Sequence, residues 1–289
     1  MIQSKKVALW AYPSKHSLSP RMHQACYEAF GLGYRYLAEE VIAEELTLKL
    51  NAMRLGKWQA ANISMPYKQS VLPFLDALTK ESARIGAVNT IVRTQEGHLV
   101  GYNTDGDGAR SFLESQGHTL QNSTVVILGA GGTGRALAIA MATSGTKTVY
   151  LCNRQGPGFM AAKQWLDTLP KWYPISLLAF EDAHLSHTVM AADVILQATS
   201  LGMVQTMDRS PLALSDFSPH HIVMDCVYEP RETRFLKEAR QAGVRYSYNG
   251  LGMLIHQGAL AFLLQTGSDY PLDVVVSTMA SSIKEMGDT

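Results

Sequence analysis

Residues 124–142 read TVVILGAGGTGRALAIAMA, and this stretch decides the fold. Thr124–Leu128 is an almost unbroken apolar run, as expected of a strand buried on both faces. The glycine-rich sequence Gly129-Ala130-Gly131-Gly132-Thr133-Gly134 follows at once and fits G-x-G-x-x-G. A helix of small residues, Gly132–Ser144, is then expected. Each glycine has a physical task. Gly129 permits the tight turn, Gly131 lets the backbone approach a pyrophosphate, and Gly134 lets the helix pack close to the strand. The helix start adds free N–H groups and the positive end of a dipole. Strand, motif and helix in that order predict a dinucleotide-binding unit contacted by Gly129, Ala130, Gly131, Gly132, Thr133 and Gly134.

The next strand, Val149–Cys152, runs into Asn153-Arg154. An NAD-selective unit places an acidic residue here to take the ribose hydroxyls, and this chain has none. The Arg154 guanidinium suits a 2′-phosphate instead. The reading favours NADP, with NAD tolerated because no second basic residue follows. Ile175–Ala179, Val194–Gln197 and Ile222–Val227 continue the strand series. On the N-terminal side, strands are expected at Val7–Tyr12, Tyr34–Val41, Gln59–Ile63, Ala87–Arg93 and His98–Tyr102. Helices are expected at Pro20–Phe30, Glu44–Leu55 and Asp107–Glu114, and two more at Leu251–Thr266 and Leu272–Lys284. Alternation of this kind predicts an α/β protein with a parallel sheet.

Composition narrows the function classes. The 25 basic and 25 acidic side chains give no net charge, against the basic surplus of a general nucleic-acid binder. No apolar run approaches the ~18 residues of a spanning helix, so no membrane partner is expected. Residues 1–13 lack the apolar core and cleavage site of a signal peptide. Cys26, Cys152 and Cys226 lie far apart, which fits buried thiols in a reducing cytoplasm. His184 and His187 read as a surface pair, and no metal site is expected.

Four polar clusters lie outside the dinucleotide unit: His16–Pro20 (HSLSP), Asn62–Lys68 (NISMPYK), Gly86–Thr90 (GAVNT) and Gly101–Gly106 (GYNTDG). Each alone reads as a capped turn; Ser19, for instance, suits a helix cap ahead of Pro20. Together a lysine, an aspartate and several asparagines and serines suit a pocket for a polyol acid.

The order and wording of these clusters resemble the shikimate dehydrogenase family, which includes the quinate/shikimate dehydrogenases. The likeness extends through Gly129–Ala136 (GAGGTGRA), Asn153-Arg154, Ala198–Met203 (ATSLGM), Asp225–Pro230 (DCVYEP) and Gly250–Gly258 (GLGMLIHQG). The resemblance implies two domains. A discontinuous α/β substrate domain, 1–104 with 250–289, faces a Rossmann-type NAD(P) domain, 105–249, across a cleft. It implies reversible oxidation of shikimate to 3-dehydroshikimate, with quinate taken by some members. Lys68 and Asp105 match the catalytic pair. Ser17, Ser19, Ser64, Asn89, Tyr228 and Gln257 match substrate contacts, Ser17 and Ser19 those on the carboxylate. Thr199, Met203 and Gly250 lie in segments that border the nicotinamide, beside Asn153 and Arg154 on the adenosine side. The expected partner is a small cyclic polyol carboxylate, and the chain is expected as a monomer or homodimer.

The chemistry requires such a pair. Oxidising a ring alcohol removes a proton from the hydroxyl as hydride leaves the carbon, and a lysine beside a carboxylate can take that proton. Some residues depart from the usual pattern. Ser64 replaces a threonine, which leaves room for the extra hydroxyl of quinate, and with Ala11-Tyr12-Pro13 it points to the quinate/shikimate branch. Gln197 and Ser200 alter the loop expected beside the nicotinamide. The alternative from a different class is a ligand-sensing regulatory protein with reduced catalysis, against which the retained Lys68 and Asp105 argue.

Overall fold

The computed structural model describes residues 4–15 and 17–284; His16, and the ends of the expected substrate domain at 1–3 and 285–289, lie outside the described residues. The chain forms two compact units, one of residues up to Gly108 together with those from Ile255, the other Ala109–Leu254.

The first unit holds β1 (Lys5–Ala11), α1 (Ser19–Ala29), β2 (Tyr34–Glu40), α2 (Ala43–Arg54), β3 (Ala60–Ile63), β4 (Ala77–Leu78), α3 (Lys80–Ile85), β5 (Thr90–Arg93), β6 (Leu99–Tyr102) and the start of α4 (Asp105–Ser115). Its sheet has the order β2-β1-β3-β5-β6-β4. β1 runs parallel to both β2 and β3, whereas β5 is antiparallel to β3 and β6. β1 is paired on both sides, and Val7–Ala11 is accordingly buried throughout. The core on one face joins Trp10, Leu50, Met53, Trp58 and Ile63, with Trp10 and Trp58 meeting edge to face at 6.3 Å. Burying aromatic pairs of this size is a leading source of core stability.

The second unit holds β7 (Thr124–Leu128), α5 (Gly132–Thr143), β8 (Thr148–Asn153), α6 (Pro157–Thr168), β9 (Ile175–Ala179), α7 (Leu185–Met190), β10 (Val194–Gln197), β11 (Ile222–Asp225), α8 (Arg234–Gln241) and β12 (Tyr246–Tyr248). The order β12-β11-β10-β7-β8-β9 is parallel throughout. This is the Rossmann-type order, and it reverses direction between β7 and β10, where such sheets bind ligands beyond their carboxyl ends. α9 (Leu251–Thr266) returns the chain to the first unit, and α10 (Leu272–Lys284) follows. Among the described residues, no helix is long and apolar enough to cross a membrane.

The structure corrects several local readings. The expected strand Ala87–Arg93 begins only at Thr90, because Val88 N–H turns away to the Lys68 carbonyl at 2.7 Å. β11 stops at Asp225 rather than Val227, because Val227 N–H bonds back to the Asp225 carboxylate at 2.9 Å. Ser19 is not the cap of α1. It is the first helical residue, after Leu18 at the cap position, and its own N–H is taken by the Ser17 hydroxyl at 3.2 Å.

Candidate active site

In the first unit, the end of β3 leads through Ser64 to Lys68. Ser64 N–H donates to the Trp10 carbonyl at 3.1 Å, and its own carbonyl accepts Tyr67 N–H at 2.9 Å, so the turn is pinned against β1. Lys68 Nζ lies 2.5 Å from Asp105 Oδ2, with side-chain exposures of 16% and 6%. An ion pair this sheltered is only weakly screened by solvent.

Asp105 is the first residue of α4. Asn103 accepts Asp105 N–H at 3.0 Å and anchors itself to the Ala87 carbonyl at 2.9 Å, which leaves the Asp105 carboxylate directed at side chains. Asn89, buried just before β5, donates through Nδ2 to Asp105 Oδ1 at 2.8 Å and to the Thr104 hydroxyl at 2.8 Å. Gln257 on α9 joins the group, its Oε1 3.3 Å from Asn89 Nδ2 and 3.5 Å from the Thr104 hydroxyl. The approach of α9 depends on Gly108, where an added Cβ would stand 2.5 Å from Gln257 Cβ and 2.6 Å from its backbone nitrogen.

Ser17 and Ser19 sit at the start of α1, Ser17 half-buried and Ser19 buried. Tyr36 stands buried on β2. Behind Tyr36, His23 stacks at 4.5 Å, and burial pushes its imidazole down to about 3, so the ring stays neutral. Lys68, Asp105, Asn89 and Gln257 therefore form one bonded group in the first unit. Tyr228 lies in the second unit, half-buried just after β11.

In the second unit the glycine motif joins β7 to α5. Gly129 takes φ +107°, a backbone state that side chains disfavour, and an added Cβ at Gly134 would stand 1.8 Å from the Gly129 carbonyl. Gly131 stands at the cap position of α5 and brings no side chain of its own to the first-turn N–H groups. An added Cβ at Gly131 would meet nothing within 4 Å. A helix start whose cap residue is a glycine with open space beside it fits a pyrophosphate. Arg154 follows β8 with its side chain exposed, and Asn153 ends that strand half-buried.

The loop after β10 carries Thr199 and Met203. Thr199 N–H donates to Gln197 Oε1, while Gln197 Nε2 donates to the Leu201 carbonyl at 2.9 Å and to Asp225 at 3.2 Å. Gln197 thus holds the loop from inside. Asp225 is fully buried and also accepts the Thr233 hydroxyl at 2.6 Å and Val227 N–H. Burial pushes its carboxyl up to about 7, against the opposing pull of the Thr233 and Val227 bonds. Gly250 packs on the same region, its N–H donating to the Val227 carbonyl at 3.1 Å.

Several supporting residues escaped single-residue reading. Asn62, Thr90, Asn103 and Thr104 lay inside the quoted clusters but carried no signal separating them from their neighbours. Tyr36 and Gln265 carried none at all. Among the described residues, no group of three or more His, Cys, Asp or Glu side chains could hold a metal ion.

Comparison with known proteins gives a consistent result. Residues 9–91 match the family model described as the shikimate dehydrogenase substrate binding domain. A shikimate dehydrogenase (NADP(+)) from Streptococcus equi subsp. zooepidemicus is 40% identical over 277 residues, covering 93% of this chain and 94% of the relative. The structure of shikimate 5-dehydrogenase from Listeria monocytogenes, in complex with shikimate and NAD, superposes with a TM-score of 0.85 at 33% identity, covering 95% and 96% of the two chains. That of the Thermus thermophilus enzyme, in complex with NADP(H) and shikimate, gives 0.82 at 33% identity, covering 96% and 99%.

Proposed function

The chain belongs to the shikimate dehydrogenase family, and from that premise we propose that it interconverts shikimate and 3-dehydroshikimate with NADP, Lys68 and Asp105 moving the proton. The observation that carries the reading is the sheltered Lys68–Asp105 pair at 2.5 Å, steadied by Asn89.

The residues divide the task. Residues 1–104 with 250–289 bind the substrate, and 105–249 bind the dinucleotide. Ser17 and Ser19 offer hydroxyls to the substrate carboxylate, with Tyr228 an added contact. Ser64, Asn89 and Gln257 take ring hydroxyls. The reacting hydroxyl gives its proton to the Lys68–Asp105 pair, which also steadies the developing negative charge on oxygen. The two groups share one ion pair, so base and acid belong to the pair as a unit. In the other direction the pair returns the proton to the carbonyl oxygen.

A bound nicotinamide supplies the acceptor for the hydride. This chain would hold the dinucleotide through Gly129–Gly134 at the pyrophosphate and through Asn153 and Arg154 at the adenosine ribose and its 2′-phosphate. Thr199, Met203 and Gly250 would border the nicotinamide. Arg154 supports NADP over NAD, since a guanidinium pairs with a phosphate and gains little from a free hydroxyl. Ser64, one methyl smaller than a threonine, supports quinate as a second substrate.

The test is a grid of initial rates, shikimate and quinate against NADP⁺ and NAD⁺, followed by nicotinamide absorbance. The expected order is shikimate with NADP⁺ fastest, and a measurable rate with quinate. Tight binding of shikimate and NADP⁺ without turnover in any combination would overturn the enzyme reading in favour of a sensor.

A further inference from the structure

Behind the Lys68–Asp105 pair lies a buried polar chain that links separate sequence clusters through Tyr36 on β2. The Tyr36 hydroxyl donates to Asn62 Oδ1 at 2.8 Å. Asn62 Nδ2 donates to the Thr90 hydroxyl at 3.0 Å, and Thr90 donates to Asn89 Oδ1 at 3.0 Å. Asn89 Nδ2 then donates to Asp105, the partner of Lys68. The chain crosses β2, β3 and the start of β5, and all its members are buried.

Its direction is set by groups that cannot reverse. Asn62 Nδ2 faces the Asn89 carbonyl at 3.3 Å, which only accepts, so Asn62 Oδ1 must face Tyr36 and Gln265. Asn89 Oδ1 faces Thr104 N–H at 2.9 Å, which only donates, so Asn89 Nδ2 must face Asp105. The hydroxyls of Tyr36 and Thr90 can point either way in isolation, and these fixed ends leave each a single choice. Every donor from Tyr36 onward therefore points toward the Asp105 carboxylate. Amide links do not pass protons along, so the chain orients and polarises.

We infer that Thr90 is a positioning residue for the reaction, holding Asn89 so that its amide steadies Asp105 in the orientation that meets Lys68. The inference rests on the proposed catalytic role of Lys68 and Asp105. Thr90 is 0% exposed, so it acts through Asn89 and touches no ligand itself. Its methyl and hydroxyl separate cleanly by substitution: Thr90→Val keeps the shape and deletes the hydroxyl, and Thr90→Ser keeps the hydroxyl.

The experiment follows kcat and KM for shikimate and NADP⁺ across pH in both variants, with Lys68→Ala in parallel. Thr90→Val is expected to lower kcat about 10-fold, the scale of one hydrogen bond that bears on a charged group. It is also expected to move the acid limb of the kcat profile to higher pH, because the carboxylate loses support. KM for NADP⁺ is expected to stay within about 2-fold, because Thr90 lies outside the dinucleotide unit. Thr90→Ser is expected to restore kcat to within about 3-fold and to return the limb. Equal losses in both variants with an unmoved limb would overturn the inference, as would a Thr90→Val enzyme with unaltered kcat. If Thr90→Val does not fold, Tyr36→Phe, which deletes the donor to Asn62, is read by the same limb and the same criteria. Turnover of Lys68→Ala within about 10-fold of the unaltered enzyme would instead remove the catalytic pair itself, whatever Thr90 does.

Discussion

Replacing Lys68 by alanine separates chemistry from stability. Proton transfer by a positioned side chain contributes about 10²–10⁴ in rate, or roughly 3–5 kcal/mol at about 1.4 kcal/mol per decade. The variant is therefore expected to lose at least about 10² in kcat while NADP⁺ affinity barely changes. Stability falls as well. Removing one partner of a buried ion pair costs about 3–5 kcal/mol in the fully sheltered limit. Asp105 keeps the Asn89 bond at 2.8 Å, and Lys68 is already 16% exposed, so part of that loss is offset. A loss of about 2 kcal/mol is expected on that basis. Steady-state absorbance gives kcat, fluorescence titration gives NADP⁺ affinity, and urea unfolding gives stability. Adding Asp105→Asn removes the stranded carboxylate, so the double variant is expected to regain stability and remain inactive. Lys68→Ala with kcat within about 10-fold would refute the proton-transfer role. A double variant less stable than Lys68→Ala would refute the electrostatic account of the pair.

Other perturbations test separate parts of the molecule. Arg154→Ala is expected to raise KM for NADP⁺ by about 10- to 100-fold, the scale of a charged hydrogen bond, and to leave NAD⁺ unaltered; equal loss for both cofactors removes the 2′-phosphate role. Gly108→Ala forces a Cβ to within 2.6 Å of the Gln257 backbone nitrogen and is expected to cost about 2–3 kcal/mol in chemical denaturation, with a raised KM for shikimate. An unmoved unfolding midpoint would show that α4 and α9 can separate freely. Asp225, with its carboxyl pushed up to about 7, binds its proton in the folded state while the unfolded chain is still releasing it near 4. Stability from this group is thus full below about pH 4 and lost as pH rises toward 7, by at most about 4 kcal/mol at roughly 1.4 kcal/mol per pH unit. Asp225→Asn should flatten that slope in urea titrations from pH 4 to 8, and an unchanged slope counts against a raised carboxyl.

Patterns with short range were legible in the sequence. The apolar run Thr124–Leu128 and the glycines after it identified the β7–α5 unit, because a phosphate-binding turn demands glycine at particular steps and those steps are adjacent in the chain. The alternation of strands and helices gave the α/β class for the same reason. Lys68, Asp105, Asn89 and Gln257 were nameable through family wording. Nothing in their spacing says that a lysine after β3 and an aspartate opening α4 stand 2.5 Å apart. Short strands with weak local preference, β4 and β12 among them, gave no usable periodicity, since their partners lie elsewhere in each sheet.

What the sequence by itself determined was the inventory: a glycine-rich turn after an apolar strand, an arginine after the next strand, and a lysine and an aspartate in separate polar clusters. Tertiary structure alone decided how those groups are held. Tyr36, Asn62, Thr90 and Gln265 come from four distant segments, and their bonds depend on strand register and on the return of α9 to the first unit. The position of Gln197 beneath the Thr199 loop was likewise invisible, because its meaning lies in Asp225 on the neighbouring strand. A buried polar group must find a partner wherever the fold brings one, and chain order does not encode which one that is.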